Sequence, residues 1–162
     1  MHRARRDSAR PGAHRDIRAC LRDHYGTDVF SAIVLRPALA LVDDRTLVSI
    51  MGRVHDFGDR RLRVPGVAGL AAAILGTAVV AWAGHLAATV AGAIAVVALA
   101  CWLVIYARIS APINSRLTAA SQRDETPADA RLLQRRWDSV ITPRSGLQML
   151  AILSLRTALI TS

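Results

Sequence analysis

The sequence predicts an all-α membrane helix bundle, and three observations predict it. Residues 67–107 run for 41 positions without one Asp, Glu, Arg or Lys. Hydrophobic residues make up 52% of the 162-residue chain, yet the formal net charge is +9. Those two values coexist only because apolar and charged residues are segregated. Residues 1–66 carry 13 Arg against 8 Asp, and residues 108–144 carry 7 Arg against 4 acids. A bilayer accounts for such segregation, since crossing its hydrocarbon takes roughly 20 apolar residues per helix.

The apolar run is about twice that length and breaks at Gly84-His85, so two spans are predicted, at 67–83 and 88–109. A third is predicted at 143–161, opened by Pro143 and interrupted by Arg156. That Arg either snorkels to the far interface or faces the bundle interior. Residues 29–42 are apolar too, but are short and carry Arg36-Pro37. They are read as a possible fourth, degenerate span or an interfacial helix.

The connecting segments also read as helices. Residues 1–28 form an Arg-rich polar arm, with a short amphipathic helix at 13–25 or no regular structure as equal alternatives. Asp43 or Asp44 caps an amphipathic helix at 45–59, where Leu47, Ile50, Met51 and Val54 fall at helical spacing. Arg60, Arg61 and Arg63 end that helix, and Pro65 opens the first span. A further helix is expected at 128–137. The basic segments 43–66 and 108–144 both belong on the cytoplasmic side, which a two-span hairpin satisfies. The compartment is then the plasma membrane of a bacterium.

Composition bounds the partners. A pI near 11.4 comes entirely from Arg, with no Lys among the 21 basic residues. Arg flanking apolar spans meets anionic headgroups, so the lipid bilayer is the expected partner and nucleic acid is not. Cys20 and Cys101 are too few for a disulfide framework, and no His or acid spacing suggests a metal. Gly66, Gly69, Ala73, Ala88 and Gly92 form small-residue faces suited to close helix contact, within the chain or in a homo-oligomer. Trp82, Trp102 and Tyr106 are read as interfacial anchors.

Pro112, Asn114, Arg116 and Leu117 follow the second span directly, and Arg135-Arg136-Trp137 then leads to Arg144 at the start of the last span. Upstream, Arg36-Pro37-Ala38-Leu39 leads through Asp43-Asp44-Arg45-Thr46 to Met51. In order and spacing these residues resemble the anthrone oxygenase-like family of small membrane proteins, over residues 30–162. The resemblance implies a four-helix membrane bundle. It also implies cofactor-free oxidation of an anthrone to an anthraquinone by O₂, with a planar aromatic molecule as partner. The chain departs from the family pattern in lacking an intact first span, and in carrying Ile141-Thr142 where a polar Asn or His often precedes the matched Arg.

That chemistry needs a base, donors for a developing oxyanion and a dry aromatic slot. The candidate residues are His55 as base, Asn114 and Arg116 as oxyanion donors, Trp137 as stacking surface and Arg144 as electrostatic stabiliser. Each has a structural alternative. Pro112 and Asn114 stop the second span and cap a turn. Trp137 anchors at the interface, Arg144 meets lipid phosphate or caps a helix end, and His55 is solvated. The alternative function is a non-catalytic membrane helper or assembly protein that docks partners through its small-residue hairpin.

Overall fold

The computed structural model describes residues 26–162, and every described element is helical. The predicted helix at 13–25 and Cys20 lie outside the described residues. Helix α1 runs from 26 to 39, within the predicted arm and degenerate span, and widens to a π segment at Ser31–Leu35 before Arg36–Leu39. Helix α2 is Asp44–Trp82, α3 is Leu86–Ile105, α4 is Ala111–Gln122 and α5 is Ala130–Ile160. A π segment, Tyr106–Ser110, joins α3 to α4 without a break.

Two helical stretches, Asp44–Trp82 and Leu86–Gln122, are long and apolar enough to cross a membrane. The break at Gly84-His85 is where the sequence predicts it. Gly84 takes φ +80°, a left-handed conformation that glycine adopts without strain. Its N–H donates to the Ala81 carbonyl, and the His85 N–H donates to the Val80 carbonyl, which closes the end of α2. The predicted cap at the other end is Asp43, whose carboxylate accepts from the Thr46 N–H at 2.7 Å. The two Thr46 hydrogen bonds, backbone first, hold the Asp43 carboxyl below its ordinary pKa. Asp44 is left to pair with Arg131 at 2.6 Å.

Three predicted boundaries are absent. Pro65 does not open a helix; it lies inside α2, which merges the predicted amphipathic helix and first span into 39 residues. Pro143 likewise lies inside α5, which merges the predicted helix at 128–137 with the third span. Pro112 does not end the second span: the helix continues through the π segment into α4, with Pro112 in the first turn of α4. A proline removes one interior bond, and tertiary contacts on both sides outweigh that loss in α2. Below Pro65, the Thr118 hydroxyl donates to the Gly52 carbonyl of α2. A Cβ on Gly52 would overlap Ser121 and come within 2.6 Å of the Leu117 carbonyl oxygen. Above Pro65, Gly92 meets Thr77 so closely that a Cβ there would also overlap it.

The core is graded along the bundle. At the basic-loop end it is built of large side chains: Leu47, Met51, Leu117, Leu133, Trp137 and Ile141. At the hairpin end it is built mostly of alanines: Ala73, Ala95, Ala98 and Ala151 around Leu99, then Ala88, Ala91 and Ala158. There the large side chains face outward; Leu75 is 68% exposed and Trp82 is 93% exposed. Small residues inside and large apolar residues outside reverse the soluble pattern. The small-residue faces of the hairpin are therefore consumed within the chain, with Gly69 and Gly92 both buried. Arg156 faces outward, as snorkelling requires.

Candidate functional site

A partly open pocket lies where the first turns of α1 approach the middle of α2 and the π segment. Its walls combine aromatic rings, aliphatic side chains and a small set of polar groups, the usual make-up of a small-molecule site. Four of the five candidate residues converge on it or its lining: His55, Asn114, Trp137 and Arg144.

His55 is buried at 4% exposure rather than solvated. Helix α2 turns it inward beside Met51 and Gly52, one turn before Asp59. Its ring lies 5.1 Å from that of Trp137, tilted by 58°. The His55 Nε2 has no hydrogen-bond partner among the described residues. Burial pushes its pKa down from 6.5 to about 4; Asp59 opposes that shift and the Arg144 charge adds to it. His55 is thus a neutral imidazole at physiological pH.

Arg144 enters from the inward face of α5, with 7% of the residue exposed. Its Nη2 pairs with Asp28 of α1 at 3.1 Å, and its Nη1 donates to the Ser110 hydroxyl at 2.9 Å. The guanidinium lies 5.5 Å from the Trp102 ring centre and 5.8 Å from that of Tyr106. Its Nε–H has no partner among the described residues. Arg144 therefore neither meets lipid phosphate nor caps a helix end.

Asp59 anchors the opposite wall. It accepts from the Tyr106 hydroxyl at 2.6 Å and from the Asn114 amide nitrogen at 3.0 Å. Asn114 does not cap a turn; its amide oxygen is buried without a partner among the described residues. Trp137, at 7% exposure, is a wall of the pocket rather than an interface anchor, and its indole N–H has no partner among the described residues. Trp102 and Tyr106 are not anchors at a surface either, since they stack at 6.0 Å beneath Arg144.

Arg116 is the candidate that the fold leaves out. It lies on the exposed side of α4 and pairs with Asp129 at 3.1 Å, so it cannot donate to a ligand in the pocket. Asn114 and Arg116 are two residues apart, which places them on different faces of one helix.

Sequence reasoning missed Asp28, Asp59, Tyr106 and Ser110. Two spacings carried a signal. His55 and Asp59 are four apart, as are Tyr106 and Ser110, so each pair shares a helix face beside a predicted span. Asp28 carried none, because its role depends on how α1 packs against α5.

No protein-family model matches the chain, and neither the curated proteins nor the solved structures contain one that it resembles.

Proposed function

We propose that the protein spans a bacterial plasma membrane and that its pocket oxidises a planar aromatic molecule of the anthrone type with O₂, without a cofactor. One observation carries the reading: a neutral His55 with an open Nε2 shares an aromatic-walled pocket with a buried Arg144.

The membrane placement rests on the outward large side chains. Only 11% of the apolar window in α2 is buried within the chain, so neighbouring helices leave most of it uncovered. A 39-residue helix is about 58 Å long, nearly twice the hydrocarbon thickness. Its basic half, 44–66, then stands on the cytoplasmic side with 108–144, and the apolar half crosses. The second half of α5 completes a third span. Cys101, exposed on the outer face of α3, reports on this placement. In a Cys20→Ser background, a charged maleimide should label Cys101 only after detergent solubilisation. Full labelling in intact membranes would contradict the placement.

The reaction follows from the pocket. His55 Nε2 takes a proton from the methylene carbon opposite the anthrone carbonyl. The electron pair left behind delocalises onto that carbonyl oxygen, where the Arg144 Nε–H stabilises the charge. One electron passes from the carbanion to O₂, giving an aryl-stabilised radical and superoxide. Their combination forms a C–O bond and a peroxide, which His55 protonates. Loss of water from this hydroperoxide, with the second methylene hydrogen, leaves a carbonyl. The sum is anthrone plus O₂ to anthraquinone plus water. Trp137 and Trp102 supply flat surfaces for the ring system. Asn114 holds Asp59 and offers its amide oxygen to a ligand hydroxyl.

Gly69 and Gly92, through which the helper alternative would dock a partner, are packed inside the bundle.

The test is O₂ uptake and quinone absorbance when an anthrone is added to membranes containing the protein. Wild type should exceed empty membranes. Trp137→Ala and Asn114→Ala should fall at least about tenfold below wild type while remaining inserted. Background rates in all arms would remove anthrone oxidation.

A further inference from the structure

Glycine is a poor residue for the interior of a helix, second only to proline, so a helical glycine calls for a local reason. Packing supplies that reason at Gly52 and Gly92, where a Cβ would overlap Ser121 or Thr77. It supplies none at Gly58, well inside α2, where a Cβ would meet no atom within 4 Å. Gly76 and Gly146 are equally open, but both lie on exposed faces outside the pocket. Gly58 lines the pocket.

Its place along the wall gives the open space a use. Val54, Gly58 and Leu62 all line the pocket and follow one another at four-residue steps. They form one strip of α2 about 12 Å long, with Gly58 at its centre. His55 precedes Gly58 by three residues, on an adjoining part of the same helix face. A single ring beside His55 covers only part of that strip. Three fused rings laid along α2 must pass over Gly58. With no side chain at position 58 the strip is uninterrupted, and a flat molecule can approach the bare backbone closely. A side chain there would divide it.

We propose that Gly58 is the residue that sets ligand size: it leaves room along α2 for three fused rings, where a side chain would leave room for one. This rests on the reading of the pocket as an aromatic site and names what that site selects, polycyclic over monocyclic aromatics.

The probes are 2-hydroxyanthraquinone, which has three fused rings, and its one-ring fragment 4-hydroxyacetophenone. Binding of each to the full-length protein in lipid nanodiscs is followed by ligand-observed NMR, against empty nanodiscs. Wild type should bind both saturably. Gly58→Leu should weaken the three-ring probe at least about tenfold and the one-ring probe less than about threefold, with Gly58→Ala between wild type and Gly58→Leu. Both variants should melt at or above the wild-type temperature, because each replaces glycine with a better helix former. Loss of affinity with gain of stability separates a ligand-sizing role from a packing one. Undiminished three-ring binding by Gly58→Leu, parallel loss of both probes, no saturable three-ring binding by wild type, or a Gly58→Ala protein that melts below wild type would overturn the proposal. Neither probe is an anthrone, so the two readings fail separately. Size selection without anthrone oxidation leaves the role of Gly58 standing and removes the oxidase. Anthrone oxidation that Gly58→Leu leaves unchanged does the reverse.

Discussion

Replacing His55 with glutamine is expected to lower anthrone turnover by about a hundredfold to ten-thousandfold, with the protein still inserted and folded. Glutamine approximates the size of the ring and keeps a polar end, but it cannot accept a proton at neutral pH. The loss should appear in kcat far more than in KM, because Trp137 and Trp102 still hold the rings. In wild type, the acid limb of kcat/KM should follow the free-protein pKa of about 4 and be flat near neutrality. The same residue shapes stability. Its folded pKa of about 4 lies below its ordinary value of 6.5. Between those values the unfolded chain binds a proton that the folded chain excludes, so stability is full above pH 6.5 and is lost as pH falls towards 4. The loss approaches about 3 kcal/mol for a shift of this size. Thermal unfolding in detergent across this range should show it, and His55→Gln should flatten it. A variant with the wild-type pH dependence and undiminished turnover would remove His55 from the mechanism.

Replacing Arg144 with glutamine is expected to destabilise the protein by about 3–5 kcal/mol. Arg144 and Asp28 have side chains only 8% and 4% exposed. Deleting the guanidinium removes the cationic partner of the buried Asp28 carboxylate and the donor to the Ser110 hydroxyl. The cost is that of a buried carboxylate losing its cation rather than the net worth of the pair, so Asp28→Asn/Arg144→Gln should recover most of the loss. Thermal unfolding of the two variants side by side measures this. Equal melting of the single and double variants would show that Asp28 and Arg144 are not energetically coupled.

The parts of this fold that follow from local chemistry were legible in the sequence. The hairpin break needed only Gly84, which tolerates positive φ, in an otherwise charge-free run. The start of α2 needed only an Asp three residues before Thr46. Proline misled at Pro65, Pro112 and Pro143, because its local cost was set against contacts that sequence periodicity does not contain. Four of five candidate site residues line the pocket because each sits on an inward helix face near the basic end. Arg116 fails because a two-residue step along a helix turns a side chain through about 200°. The partners that make the site chemical rather than merely polar come from elsewhere. Asp28 on α1 and Ser110 in the π segment meet Arg144 across sequence separations that no motif encodes.

The central claim is that His55 removes a proton from an aromatic acid seated against Arg144. Its most direct test excludes O₂. An anthrone is incubated anaerobically in D₂O with purified protein in nanodiscs, and deuterium at the methylene carbon is followed by NMR. Wild type should accelerate exchange at least about a hundredfold over His55→Gln and over empty nanodiscs. Equal rates in all three, with the ligand shown to be bound, would contradict the account.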